Sequence, residues 1–247
     1  MPVALITGSG KKRVGSVVAQ YLAKRGWDIA VHYRSSATEA AELAQVLTKK
    51  GIRCQIFQAD LADEQAVQVM VDQVFAHFGQ VDLLVNAAAI WERKPLEEVT
   101  GADVRKHFDT NCLGTFLTCQ QVGLRMTKQP QGGLIVNIGD WAEARPYLNY
   151  AAYFPSKGAV STLSRCFAVE LAARNPRVRV NCLLPGPVML PEDLPTEERE
   201  EAIAGTLVKE EGSPENIAQA VESLWLNKFI TGVSLPIDGG RTICSNE

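Results

Sequence analysis

Short apolar stretches alternate with stretches of helical periodicity from one end of the chain to the other. The helical pattern is clearest over residues 14–22, where Val, Tyr and Leu recur at the spacing of one helix face, and it returns over 40–47 and 67–78. The apolar stretches predict strands at 3–7, 28–33, 54–60, 81–89, 134–138, 178–185 and 233–237.

Strands that alternate with helices form right-handed βαβ units, which build a parallel sheet covered on both faces. We therefore predict an α/β fold, with about seven parallel strands in one doubly wound domain and helices on both faces of the sheet. No linker-like composition interrupts the pattern, so the domain is predicted to span 1–247. The proline- and acid-rich segment 184–205 is expected to cross one edge of the sheet as a candidate substrate lid.

Composition narrows the function classes. The chain has 247 residues, 46% hydrophobic and 21% charged, which is typical of a globular protein rather than a disordered segment. The net charge of −3, without a basic block, argues against nucleic acid and membrane surfaces. The start "MPVALITGSG" enters a strand directly and no apolar run reaches the length of a membrane span, so we expect a cytoplasmic protein.

Metal chemistry is not expected. The six cysteines are scattered without a CxxC pair, which favours reduced thiols. The three histidines, His32, His77 and His107, lack ligand spacing and are expected on surfaces or helix faces.

A glycine-rich turn follows the first predicted strand, in "VALITGSGKKRVGS". Gly8, Gly10 and Gly15 would let the backbone approach a pyrophosphate at the N-terminus of the next helix. Their spacing departs from G-x-G-x-x-G, so a glycine connection without a ligand is the alternative interpretation.

Basic and hydroxyl side chains gather at the end of the second strand and in the glycine turn. The residues are Lys11, Lys12, Arg13, Arg34, Ser35 and Ser36. An acid at the end of the second strand would suit the ribose of NAD, whereas cations and hydroxyls suit a 2′-phosphate. We therefore predict NADP(H) as the cofactor; a solvated basic loop is the alternative.

Tyr153 and Lys157 lie four residues apart on a predicted helix, and therefore on one face. An ammonium beside a phenol is expected to lower the pKa of the phenol and prepare it as a proton donor. Asp140 lies at the mouth of the preceding strand. Pro155 is tolerated in this helix only if Tyr153 occupies its first turn.

The chain resembles the short-chain dehydrogenase/reductase family along nearly its whole length. The segments that carry the resemblance are "TGSGKKRVG", "AD" at 59–60, "VNAAA", "DTNCLGTF", "IVNIGD", "YFPSK", "RVNCLLPGPV" and "ITGVSLPIDGG". The resemblance implies a Rossmann-type domain, a small-molecule substrate and reduction by hydride transfer.

It also implies roles for individual residues. Tyr153 would be the general acid/base, Lys157 would hold the nicotinamide ribose, and Asn111 would anchor a water on the proton-relay route. Asp60 would contact the adenine, and Asn86 would steady the central strands. The remaining residues implied at the cofactor are Gly8, Lys12, Arg13, Val14, Gly15, Arg34, Ser35, Leu61, Pro185 and Gly186.

The family usually has serine at the position of Asp140. In having aspartate there, the chain resembles the pteridine reductases and dihydromonapterin reductases. Two more features resemble that branch: Arg13 in the glycine turn and "HYRSS" after the second strand. In that branch an aromatic residue after the fourth strand stacks on the pterin. Trp91 lies at the corresponding position here. The alternative is that Trp91 only packs under the lid. Asp140 and Tyr153 would then both donate protons, because reduction of a C=N bond needs a proton at nitrogen.

Three functions are therefore weighed. The first is an NADPH-dependent reductase of a pterin-like heterocycle. The second is a carbonyl reductase, for example of 3-oxoacyl thioesters, with Asp140 orienting the substrate. The third is a catalytically silent NADP-binding regulator. The resemblance also implies a homotetramer that uses an apolar helix face, although burial within the monomer would use the same residues, Val160, Leu163, Phe167 and Leu171.

Overall fold

Seven strands in residues 1–244, the part of the chain that the computed structural model describes, form one sheet. They are β1 (Val3–Thr7), β2 (Asp28–Tyr33), β3 (Cys54–Gln58), β4 (Leu83–Asn86), β5 (Gly133–Ile138), β6 (Val178–Pro185) and β7 (Ser234–Ile237). Their order is β3-β2-β1-β4-β5-β6-β7, and every neighbouring pair is parallel. The predicted α/β fold with about seven parallel strands is confirmed.

Helices connect the strands. The α-helices are α1 (Val14–Ala23), α2 (Ala37–Thr48), α3 (Glu64–Phe78), α4 (Gly101–His107), α5 (Gly114–Met126), α6 (Tyr153–Ala172), α7 (Thr196–Ala204) and α8 (Pro214–Leu226). A π-helical segment, Phe108–Leu113, joins α4 to α5, and 3₁₀ turns cover Leu96–Glu98 and Trp141–Glu143.

The core lies on both sides of the sheet, which is why the central strands are apolar at nearly every position. Helices α1, α2 and α8 cover one face, where Val18, Leu47 and Val221 are fully buried. Helices α3, α5 and α6 cover the other face, where Met70 and Val122 are fully buried.

Several element boundaries differ from the sequence prediction. Strand β4 ends at Asn86 rather than at residue 89, because the backbone N–H groups of Ala87 and Ala88 donate to the hydroxyl of Thr7 and leave the sheet. Strand β3 ends two residues early, at Gln58, and helix α2 extends beyond 40–47 at both ends.

The apolar face proposed for assembly is largely internal. Val160, Phe167 and Leu171 are buried within the monomer, and Leu163 packs against the same core. Burial within the monomer therefore accounts for Val160, Phe167 and Leu171, whereas Leu163 is half-buried.

Two further observations concern residues 1–244 as a whole. None of their helices is long and apolar enough to cross a bilayer. No group of three or more His, Cys, Asp and Glu side chains among them is arranged to hold a metal ion. The predicted domain 1–247 ends three residues beyond this described part.

Candidate active site

The carboxyl ends of parallel strands meet at one edge of the sheet, and the chemically distinctive residues follow those ends. The glycine turn follows β1, Arg34 follows β2, Asp60 follows β3, Trp91 follows β4 and Asp140 follows β5. The strand order reverses between β1 and β4, so a crevice opens there at the switch point.

Helix α6 begins at Tyr153, which explains how it accommodates a proline. Pro155 is the third residue of the helix, in the first turn, where backbone N–H groups have no partner within the helix. The backbone N–H of Tyr153 donates to the carbonyl oxygen of Tyr150 at 3.0 Å. Lys157 follows one turn later and is buried.

Asp140 and Tyr153 are joined directly. The Tyr153 hydroxyl donates to Oδ2 of Asp140 at 2.8 Å, and Oδ1 accepts the backbone N–H of Ala142 at 2.9 Å. The Lys157 ammonium donates to the carbonyl oxygen of Ile138, at the end of β5. The acid, the phenol and the ammonium therefore gather at the mouth of β5, as the sequence predicts.

Burial dominates the protonation of all three groups. It raises the pKa of Asp140, against hydrogen bonds from Ala142 and Tyr153 and the charge of Lys157. Burial lowers the pKa of Lys157, against the negative charge of Asp140. The pKa of Tyr153 is raised well above its ordinary value, first by burial and then by the carboxylate that accepts its proton.

This last result corrects an expectation. The ammonium of Lys157 was expected to lower the pKa of Tyr153, but it donates to Ile138 instead, while the nearest charge to the phenol is negative. In this arrangement the proton rests on Tyr153, and Asp140 is the more acidic member of the pair.

Asn111 lies in the π-helical segment and links two walls of the site. Its Oδ1 accepts the N–H of Ile90 at 2.8 Å, and its Nδ2 donates to the carbonyl of Ile90 and to the hydroxyl of Ser156, each at 3.0 Å. Ser156 in turn donates to the carbonyl of Tyr153. The side chain thus joins the loop after β4 to helix α6.

Aromatic rings form one wall beside Tyr153. Trp91 stacks on Tyr150 with ring centroids 5.1 Å apart and planes 7° from parallel. Tyr147 meets Tyr150 edge-on and lies nearly parallel to Trp141. We call Trp91, Trp141, Tyr147 and Tyr150 the aromatic wall. Trp91 remains 38% exposed, so its ring is not sealed into the core.

Of this wall, sequence analysis singled out only Trp91, and it missed Trp141 and Tyr150. Their signal lies in "WAEARPYLNYAAYF", where five aromatic residues fall within fourteen positions next to Asp140. Periodicity could not predict where these side chains lie, because this stretch forms a 3₁₀ turn and a loop rather than a regular helix or strand.

The residues predicted to hold a cofactor lie around the crevice. Lys11, Lys12, Arg13, Arg34 and Ser35 are exposed, at the ends of β1 and β2, and Val14 and Gly15 begin α1. Asp60 is exposed and Leu61 is buried at the start of the segment after β3. Pro185 is the last residue of β6, and Gly186 follows it.

Two of the glycines at the crevice have no room for a side chain. A Cβ on Gly8 would lie 2.7 Å from Cα of Ala88, and one on Gly186 would lie 2.6 Å from Cα of Asp238. Asn86 lies below the crevice, where its amide donates to Asn137 at 2.9 Å and joins β4 to β5.

Two histidines occupy positions that sequence analysis did not anticipate. His32 and His107 are both buried, each 2% exposed, whereas His77 is exposed on α3. The His107 ring lies edge-on to Tyr153, with centroids 6.2 Å apart. The His32 ring contacts the glycine turn, where its Nδ1 accepts the N–H of Gly8 at 3.0 Å.

Comparison with known proteins places these features in a family. A family model described as "Enoyl-(Acyl carrier protein) reductase" matches residues 9–242. An uncharacterized oxidoreductase of Escherichia coli K12, YgfF, is 31% identical over 98% of this chain and 100% of its own length.

Two solved structures superpose over nearly the whole chain. Acetoin dehydrogenase from Enterobacter cloacae is 30% identical, with a TM-score of 0.88, over 100% of this chain and 97% of its own. A blue fluorescent protein from a metagenomic library, solved in complex with NADPH, is 34% identical, with a TM-score of 0.88, over 97% of both chains.

Proposed function

Because the chain belongs to the short-chain dehydrogenase/reductase family of nicotinamide-dependent oxidoreductases, we propose that it is an NADPH-dependent reductase of a pterin-like heterocycle. The observation that carries the proposal is the hydrogen bond of 2.8 Å between the Tyr153 hydroxyl and Asp140. This hydrogen bond pairs the phenol with a carboxyl group, whereas the family usually pairs the phenol with a serine hydroxyl.

The residues at the crevice fit a dinucleotide. Val14 and Gly15 begin α1, whose first backbone N–H groups have no partner within the helix and suit a pyrophosphate. Pro185 and Gly186 form the far wall, and Asp60 and Leu61 would border the adenine. Bound cofactor supplies the hydride of the reaction.

The choice of NADPH over NADH rests on charge. Lys12, Arg13, Arg34 and Ser35 are exposed at the rim of the crevice and would surround a ribose 2′-phosphate. The NADPH complex of the metagenomic relative supports this assignment.

Proton supply follows from the environment of Asp140. Burial raises the pKa of its carboxyl, so the acid form persists to a higher pH than for an ordinary aspartate. Asp140 would orient the ring of the substrate and donate or relay a proton to its nitrogen, and Tyr153 would act as the partner acid. Lys157 would hold the nicotinamide ribose, and Asn111 would keep the relay route in place.

The aromatic wall supports a flat substrate. Trp91 is held parallel to Tyr150 and is only partly exposed, and Tyr150 in turn meets the ring of Tyr153 edge-on with centroids 6.3 Å apart. A pterin is flat and polar at its rim, so stacking on Trp91 would add roughly 1 kcal/mol beyond the area that is buried.

The segment 184–205 is proposed as the substrate lid. It includes α7, whose side chains are largely exposed, and Glu198 in α7 lies 3.4 Å from Arg93 in the loop that carries Trp91. The whole chain is proposed to act as one domain. A homotetramer remains the family expectation, and exposed apolar residues on α5 and α6, Phe116, Leu124 and Val169, are available for it.

A carbonyl reductase is the second candidate. The similarity to acetoin dehydrogenase and the description of the matching family model favour it. In that function Tyr153 would donate its proton to the carbonyl oxygen as the hydride adds to the carbon, and Asp140 in its acid form would only orient that oxygen by donating a hydrogen bond.

The test is NADPH oxidation with dihydrobiopterin, dihydromonapterin, biopterin and acetoacetyl-CoA, run on wild type, Asp140→Ser and Asp140→Asn. Asp140→Asn is the matched control for shape, because it keeps the size of the side chain and loses its acid. Pterin turnover that collapses in both variants would support the pterin site. Thioester reduction that survives in Asp140→Ser, without pterin turnover, would refute it in favour of the carbonyl reductase. NADPH binding without any turnover would favour the silent regulator.

A further inference from the structure

His32 connects three segments of the nucleotide side. It lies in β2, 2% exposed, with Nδ1 accepting the N–H of Gly8 at 3.0 Å and Nε2 placed 3.1 Å from the carbonyl oxygen of Ala59. Its own carbonyl oxygen accepts the N–H groups of Ser9, at 3.1 Å, and Gly10, at 3.2 Å.

These contacts decide the protonation of the ring. A backbone N–H can only donate, so Nδ1 must carry the lone pair, and a carbonyl can only accept, so Nε2 must carry the proton. The ring is therefore neutral with both nitrogens used. Burial supports the same state, because it lowers the pKa of His32 to about 4.

The consequence concerns the shape of the turn. All three N–H groups from Gly8 to Gly10 are taken up by His32, so they are not available to a phosphate. Gly8 has a φ of 64°, in the left-handed region that favours glycine, and a Cβ added to it would lie only 2.7 Å from Cα of Ala88. The turn is thus held between Ala88 on one side and His32 on the other.

We infer that His32 is a positioning residue for the dinucleotide: its imidazole ties the glycine turn to the segment before Asp60 and sets both for the pyrophosphate and adenosine. Ordering these segments in advance lowers the entropy cost of binding. The inference rests on the proposed function as far as the use of a nicotinamide dinucleotide is concerned. It does not depend on the substrate.

Two variants separate the two hydrogen bonds. In His32→Asn the amide oxygen stands as many bonds from Cβ as Nδ1 does, so it can accept from Gly8 while the bond to Ala59 is lost. In His32→Gln the amide nitrogen stands at the position of Nε2, so it can donate to Ala59 while Gly8 loses its acceptor. His77→Gln, on the exposed face of α3, controls for loss of an imidazole elsewhere.

Fluorescence titration should give an NADPH Kd about tenfold higher for His32→Gln, because the glycine turn loses its anchor and must be ordered when the dinucleotide binds. The rise should be smaller, about threefold, for His32→Asn, which loses only the tie to Ala59. The turnover number at saturating NADPH should stay near wild type for both. Equal weakening in both variants, in step with their cofactor-free melting temperatures, would overturn the inference in favour of a purely structural role.

A measurement on the wild-type chain covers the case in which the variants do not fold. Nitrogen chemical shifts of labelled histidine should give His32 as the Nε2–H tautomer across neutral pH, and the Nδ1–H tautomer would contradict the contact with Gly8. A wild-type protein that binds neither NADPH nor NADH would refute the proposed function and this inference together. Binding without pterin turnover would refute only the substrate.

Discussion

Acidification should destabilise this protein through His32. Burial lowers the pKa of the folded-state imidazole to about 4 from an ordinary value of 6.5. Between these two pH values the His32 imidazole is protonated in the unfolded chain but stays neutral in the folded chain. The free energy of unfolding therefore falls as the pH falls. One pKa unit corresponds to about 1.4 kcal/mol, so the loss should reach about 3 kcal/mol below pH 4.

The assay is urea unfolding followed by tryptophan fluorescence, at several pH values from 7 to 4, for wild type and His32→Asn. Asp140 and Glu143 act in the opposite direction, because burial raises the pKa of each carboxyl, but they are present in both proteins and cancel in the difference. The variant should be less stable than wild type at pH 7 and lose this disadvantage as the pH falls. A stability difference that does not change with pH would refute the assignment of a buried, neutral His32.

Three further outcomes are expected. Arg34→Ala should raise the KM for NADPH about tenfold, because a charge-assisted hydrogen bond to phosphate is lost, and leave that for NADH unchanged; equal effects on both cofactors would contradict a 2′-phosphate contact. Trp91→Ala should raise the KM for dihydropterin roughly fivefold or more with little change in turnover number, whereas Trp91→Phe should recover most of the loss; a fall in turnover alone would argue against stacking. The kcat/KM for pterin should fall as the pH rises through the raised pKa of Asp140, and the residual activity of Asp140→Asn should lack that dependence; a wild-type pH profile in the variant would exclude Asp140 as the proton source.

Much of the architecture could be read from local patterns. Each buried strand is a run of apolar residues and each helix carries an apolar stripe, because a residue's place in a regular element follows from its neighbours in the chain. Tyr153 and Lys157 could be placed on one helix face for the same reason, and the carboxyl ends of β1 and β5 could be expected at one edge. Boundaries were less certain: β4 stops at Asn86 because Thr7, far away in the chain, takes up the next two N–H groups.

The protonation of the site could not be predicted in this way. The spacing of Tyr153 and Lys157 suggested a lowered phenol pKa, yet Lys157 donates to Ile138 and the phenol faces Asp140. A pKa depends on burial and on the charges nearby in space, and the spacing of two residues along the chain reveals neither of them. The stack of Trp91 on Tyr150 likewise joins residues fifty-nine positions apart.

By itself, therefore, the sequence determined the α/β architecture, the family and many of the residues that follow the carboxyl ends of the strands. Only the tertiary structure decided which of them touch. It brought Tyr153 to Asp140, enclosed Val160 and Phe167 within the monomer, and buried His32 against Gly8 and Ala59. The physical reason is that periodicity records which face of an element is apolar, whereas hydrogen bonds and desolvation are settled when distant elements pack together.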